Sequence, residues 1–290
     1  MPAVLKNIMI RALWTCPLIF ILAMIPSAAA AAAQSLLNFP PTRFKIYNDA
    51  GTRVIGNGEY RLEPAPSGEA YIHGEDHYKN GEYDIEDDIL KLHPNGRLPT
   101  LTSFRHTFYH PDGSTMLLAS IDVKTGKASC IDFGPKGAKS TVTLKPPADT
   151  YAGAALLVPI SEALRMKRPG PIALHVFDCI PAPKVIALSA YATGRHQWSF
   201  YPGKLVQMEA KPELGWLDLL VAPFVPRVHA WFDPAQDYDY VGGRIHRYLY
   251  GNEHVVLVKT EADRAAAAKN VARISKPSDG AQPPLDSPKK

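Results

Sequence analysis

The stretch YIHGEDHYKNGEYDIEDDI, residues 71–89, gathers two histidines and seven carboxylates within nineteen residues. Imidazole and carboxylate are the side chains of acid–base chemistry and of divalent-metal ligation. Asn80-Gly81 is strong turn punctuation, so the stretch reads as a β-hairpin. Alternate residues of a strand share a face, which puts Tyr71, His73, Glu75 and His77 in one row. His73, Glu75 and His77 are therefore the candidate ligands of a cation. Same-face neighbours lie about 7 Å apart, and a straight row of three converges on one ion only with a bulge. The opposite face carries Ile72, Gly74, Asp76 and Tyr78, and the return strand sets Tyr83, Ile85 and Asp87 against Asp84, Glu86 and Asp88. Neither face is strongly apolar. The first expectation is a solvated hairpin that protrudes or lies at a sheet edge, its charge discouraging edge pairing. A metal-dependent enzyme or weak cation binder built on residues 73–88 is the alternative.

Other chemistry is sparse. The chain has no G-x-S-x-G elbow, H-E-x-x-H helix, C-x-x-C pair or P-loop. GNGEYR (56–61) lacks the third glycine of a dinucleotide fingerprint and sits in a hairpin. His106 and His110 share a strand face with Phe108, which reads as structural. The aromatic stock, Trp198, Trp216, Phe224 and Trp231 foremost, suits either a core or the wall of a hydrophobic-ligand cavity. No catalytic residue and no cofactor emerges.

The elements that must position these residues are mainly strands. From Phe44 to Val258, short β-rich runs alternate with turn residues, as in RFKIYN-DAGT, HTFYH-PDGS and LLASIDV-KTGK. Asp112-Gly113, Thr125-Gly126 and Pro202-Gly203 add further turns, because glycine supplies the positive φ such turns need. The spacing predicts about fourteen strands in an antiparallel meander, forming a curved open sheet or a barrel. One helix is expected near residues 150–168, with Asp149 or Thr150 as N-cap, Leu157, Ile160 and Leu164 on one face, and a kink or split at Pro159. Such a helix packs on the sheet or plugs a cupped side. The proline-rich run 211–234 reads as a buried loop and core strand, or as a mobile apolar lip.

Residues 1–33 have the layout of a secretory signal peptide: Lys6 and Arg11, an apolar run over 12–25, then an alanine run with A-x-A cleavage sites before Gln34. The expected organisation is a leader over 1–33, a single β-rich domain over 34–260, and a short helix and disordered tail over 261–290. Export to an oxidising compartment makes a Cys130–Cys179 disulfide the natural pairing once Cys16 is removed. The formal charge is +4, carried by the leader and the tail, so the body from 34 to 260 is neutral by count. A neutral body offers no electrostatic footprint for nucleic acid.

Several motifs resemble the domain-of-unknown-function 3108 family of exported bacterial proteins. FKIYNDAGTRVIGNGEYRL is similar to its opening hairpin, PPADTYAGAALLVPISEAL to its mid-chain helix, HVFDC to the strand that follows, and VHAWFDPAQDYDYVGGRI to its closing strand pair. The resemblance covers most of residues 44–258. It implies a curved antiparallel half-barrel or barrel in the cell envelope, a shape like that of lipid and lipoprotein carriers, and it supplies no catalytic residues. The two cysteines, the tail and the acidic hairpin depart from it. The leading expectation is a non-enzymatic periplasmic or secreted protein that binds a lipid-like molecule or an envelope partner, and a purely structural envelope component is a further alternative.

Overall fold

The computed structural model describes residues 41–261, apart from 66–67, 94–96, 135–136, 138, 169, 180–181, 214–227 and 248–252. The leader, the C-terminal tail, Trp216 and Phe224 lie outside the described residues. Among the described residues fifteen strands form one sheet. They are β1 (Thr42–Asn48), β2 (Val54–Ala65), β3 (Glu69–Tyr78), β4 (Tyr83–Lys91), β5 (Thr100–Tyr109), β6 (Thr115–Asp122), β7 (Lys127–Asp132) and β8 (Lys139–Thr143). After them come β9 (Thr150–Tyr151), β10 (Ile172–Asp178), β11 (Lys184–Trp198), β12 (Tyr201–Pro212), β13 (Val228–Asp233), β14 (Asp239–His246) and β15 (His254–Lys259). The spatial order runs from β8 back to β1, then β15 back to β9. Every ladder is antiparallel except the short β9–β10 pair. The meander therefore starts at the centre of the sheet, walks to one end, crosses to the other, and walks back until β15 closes on β1.

The crossing dictates the shape. Laid flat, fifteen strands would span about 67 Å, yet residues 144–149 between β8 and β9 reach only about 25 Å. The sheet must roll until its two ends approach. No ladder joins β8 to β9 among the described residues, so it remains an open, curved sheet. Side-chain bonds draw the seam together. Cys130 on β7 is disulfide-bonded to Cys179 just beyond β10, with a Cα–Cα distance of 5.7 Å. Tyr151 on β9 donates its hydroxyl to the carbonyl of Pro99 at the start of β5.

The concave side holds the main core. Phe104, Ile121, Leu174, Phe177, Met208 and Phe232 meet there, and Ile160 of helix α1 (Leu157–Arg165) packs among them. A 3-10 turn over Gly153–Leu156 leads into α1, so the expected helix begins later and in two pieces. Pro159 falls in the first turn of α1, where its missing N–H has no intrahelical partner to lose. Neither proposed N-cap serves: Asp149 is bonded to His175, and Thr150 belongs to β9. Glycines 81, 113 and 126 take the positive φ expected of turn residues. Pro202-Gly203 does not form its turn. The chain reverses at Ser199–Phe200, and Pro202 and Gly203 lie inside β12.

Candidate functional site

The acidic hairpin is not an edge. Its strands β3 and β4 sit between β2 and β5, well inside the sheet. Burial alternates strictly along both strands. Ile72, Gly74, Asp76 and Tyr78 of β3 face inward, with Asp84, Glu86, Asp88 and Leu90 of β4. The solvated-hairpin expectation fails for this face: Asp76, Asp84, Glu86 and Asp88 are all at most 5 % exposed.

Registers across four strands explain how the polar groups fit. Gly58, Asp76, Asp84 and Phe108 stand in one row, Tyr60, Gly74, Glu86 and His106 in the next, and Leu62, Ile72, Asp88 and Phe104 in the third. Gly58 leaves room for a carboxylate, since a Cβ there would lie 1.9 Å from Asp76 Oδ1. Gly74 leaves the same kind of room for the Tyr60 ring. His106 sits at the centre, with Nε2 2.7 Å from Asp84 Oδ1 and Nδ1 3.4 Å from Glu86 Oε2. Its ring stacks on Phe108 at 4.2 Å.

Two carboxylates reach across the interior to the helix entry. The backbone N–H of Ala154 donates to Glu86 at 2.5 Å, and that of Ala155 donates to Asp88 at 3.2 Å. The first N–H groups of a helical segment lack intrahelical partners, and acceptors satisfy them. The cap that the sequence suggested from Asp149 or Thr150 thus comes from β4 instead. Gly153 permits the approach, because a Cβ there would lie 2.1 Å from Glu86 Oε1.

Burial sets the protonation chemistry. It pushes the Asp84 carboxyl up to about 8, against the opposing pull of the Tyr78 hydroxyl and the Arg247 charge. Asp76 is held well above the carboxylate range by burial and then by the Asp84 charge opposite, and Asp88 by burial and then by Glu86. Burial lowers His106. Proton-holding carboxyls and an uncharged imidazole are what an apolar enclosure favours.

Asp76, Asp84, Glu86 and His106 form one wall of a cavity of about 580 Å³ between the sheet and α1. The remaining walls are largely apolar, with Leu62, Ile72, Leu156, Leu157, Ile186 and Leu188 among them. Drug-sized ligands occupy pockets of roughly 300–1,000 Å³.

The residues singled out from sequence lie elsewhere. His73, Glu75 and His77 occupy the outer face, where His73 Nδ1 is 2.7 Å from Asp87 and its Nε2 is 3.2 Å from Glu75. Among the described residues no set of three or more His, Cys, Asp or Glu side chains has metal-binding geometry. Trp198 and Trp231 stack on each other at 5.4 Å beside Phe200. They line a separate hollow of about 230 Å³ with Asp49, Gln207, His229 and Arg244, not the interior cavity. Trp231 alternates with the inward Ala230 and Phe232, which places it on the convex side. Tyr60, Asp76 and Tyr240 of the cavity wall were missed as site residues. A glycine opposite Asp76 and another opposite Tyr60 were the available signal, but they need the register.

No protein-family model matches the chain, and no curated protein matches it. The resemblance to the domain-of-unknown-function 3108 family thus has no family-level support. Among solved structures the chain is similar to a beta-barrel-like protein of domain of unknown function DUF1849 from Brucella abortus. The two share 10 % identity and a TM-score of 0.41, over 77 % of this chain and 97 % of that one. The architecture described above rests on this chain's own strand pairings. No helix among the described residues is long and apolar enough to cross a membrane.

Proposed function

We propose that the protein is a carrier or receptor for an apolar small molecule, taken up in the chamber between the curved sheet and α1. The observation that carries this reading is the 580 Å³ cavity with largely apolar walls on the concave side. A fold stabilised only by its core fills such a space, because interiors pack to the density of organic crystals. The leader-like residues 1–33 support a periplasmic or secreted setting, and the disulfide across the seam fits an oxidising compartment. The ligand enters the cavity's apolar part, and the polar wall of β3 and β4 fixes its orientation.

Organic-solvent extraction of the purified protein followed by mass spectrometry tests the reading directly. A co-purifying lipid-like molecule, or saturable binding of a neutral fluorescent lipid probe, is the expected result. Protein that is consistently ligand-free and also ignores the probe overturns it.

A further inference from the structure

We infer that the chamber selects apolar ligands bearing a protonated nitrogen, which Asp76 and Tyr240 hold at its polar wall. The inference builds on the reading that the chamber binds an apolar molecule, and it names the chemistry of that molecule's head.

The argument begins with what the inner carboxylates already do. Asp84 is bonded to His106. Glu86 and Asp88 accept the N–H groups at the helix entry. Asp76 has no comparable task. Its Oδ2 meets only the Tyr60 hydroxyl, at 3.4 Å, and its Oδ1 has no hydrogen-bond partner. Yet the side chain is 5 % exposed and lines the chamber. The Tyr240 hydroxyl is likewise buried without a partner, and Tyr240 lines the same chamber. The two are close enough for the Asp76 charge, after burial, to help push the Tyr240 hydroxyl upward.

Buried polar atoms are nearly always satisfied, and an exception asks for a partner. A carboxylate oxygen only accepts, and a phenol can both accept and donate. A protonated nitrogen supplies donors to both, and its charge favours the ionised form of Asp76, which burial otherwise keeps protonated. Among the described residues no lysine or arginine bonds Asp76, and burial keeps the nearby His106 ring low in its range. The arginines that reach the chamber are engaged: Arg61 with Glu59, Arg165 with Glu162 and Asp237, and Arg247 with Glu82 and Glu253. A carboxylate-headed ligand would have to displace these pairs and face the acidic wall.

Displacement of the neutral fluorophore N-phenyl-1-naphthylamine from the purified, disulfide-bonded protein tests this at neutral pH. Decylamine, decanol and decanoate share one chain and differ only in head group. Decylamine is expected to displace the probe at about tenfold lower concentration than the other two, the scale of one charge-assisted hydrogen bond. Asp76→Asn should bring decylamine to within about twofold of decanol, with decanol unmoved. Equal displacement by all three, tightest displacement by decanoate, or an unchanged amine preference in Asp76→Asn overturns the inference and leaves the apolar chamber standing. If neither the probe nor any of the three binds, the chamber reading falls with it. Tyr240→Phe gives a second reading should Asp76→Asn fail to fold, with a reduced amine preference expected and an unchanged one counting against.

Discussion

The β3–β4 hairpin carries two acidic faces that behave as different materials. On the outer face the side chains of His73, Glu75 and Asp87 are 42 %, 46 % and 59 % exposed, and they bond one another at the edge of water. On the inner face Asp88 is fully buried and Asp84 is 2 % exposed. The two sets interleave residue by residue along the same strands. Solvent screens the outer set, so its ion pairs contribute little. Enclosure raises Asp76, Asp84 and Asp88, and the inner carboxyls are committed to particular partners: an imidazole, two helix-entry N–H groups and, by our inference, a ligand. A one-residue phase, rather than composition, separates an ordinary wet surface from a site.

The comparison is broken most severely by undoing the enclosure. Cys130 and Cys179 are 49 residues apart in sequence, and losing their bond should cost about 4 kcal/mol in the chain-entropy picture. Urea denaturation of the Cys130→Ser/Cys179→Ser double variant against the oxidised protein measures it. Because the bond staples the strands next to both sheet ends, the variant should also expose the inner face. Faster hydrogen exchange on β7 and β10 is then expected ahead of that on β1 and β15. An unchanged midpoint would show that packing alone closes the seam.

Next in size is the contrast between two histidines. His106→Ala removes a buried ring stacked on Phe108 and takes the Nε2 partner from Asp84. A loss of about 3 kcal/mol is expected from the cavity and the stranded carboxyl together. His77→Ala on the outer face, with a side chain 64 % exposed, should change stability by less than about 0.5 kcal/mol. Equal effects from the two variants would dissolve the distinction between the faces.

The inner face should also reverse the usual sign of pH dependence. The folded Asp84 keeps its proton up to about 8, whereas the unfolded chain releases it near 3.8. Its contribution to stability is therefore full at low pH and is lost as pH rises through 8. His106 runs the other way: its lowered value means that stability is lost as pH falls below 6.5. Between pH 6.5 and 8 the carboxyl effect outweighs that of the exposed His73, and wild-type stability should fall, by about 2 kcal/mol from Asp84 alone. Asp84→Asn should make that slope shallower without abolishing it, because Asp76 and Asp88 are raised as well. The Glu75→Gln change should leave it intact, because Glu75 is held below its ordinary value by His73 and matters only as pH falls through the acid range.

Much of this architecture was legible in the residues. Turn glycines 81, 113 and 126, the strand spacing, a helix within 150–168 and the Cys130–Cys179 pairing all follow from the residues themselves. The phase of the hairpin was not legible. Tyr71, Tyr83, Ile85 and Ile89 on one parity balance Ile72, Tyr78 and Leu90 on the other, so no apolar excess marks the inside. The inward parity is set by what lies opposite: Gly58 beneath Asp76, Gly74 beneath Tyr60, and the Gly153 entry above Glu86. These are contacts between strands and with a distant helix, and a single strand's pattern does not contain them. The tryptophans misled for a related reason. Trp198 and Trp231 are large enough to bury one another by stacking on the convex side, so their size says nothing about which face they occupy.

The smallest expected effect belongs to the outer row where a metal site was first sought. The Asp87 carboxylate, and after it Glu75, raises His73 against a modest opposing burial. The stability this gives is present below pH 6.5 and disappears as pH rises through the raised value. With the pair this exposed, solvent screening keeps it under about 0.5 kcal/mol. His73→Gln should therefore lower the melting temperature slightly at pH 5.5 and not at all at pH 8.5. Zinc should not add to it. Both ring nitrogens of His73 already face carboxylates, and the row lies along a regular strand rather than a bulge. Titrating zinc into the chelator-free protein at pH 8.5 should leave the melting temperature within about 1 °C, a shift worth only a few tenths of a kcal/mol for a domain of this size. A larger rise, abolished by His73→Gln, would mean that the outer row rearranges to converge on an ion, and the contrast between a wet outer face and a chemically committed inner one would no longer hold.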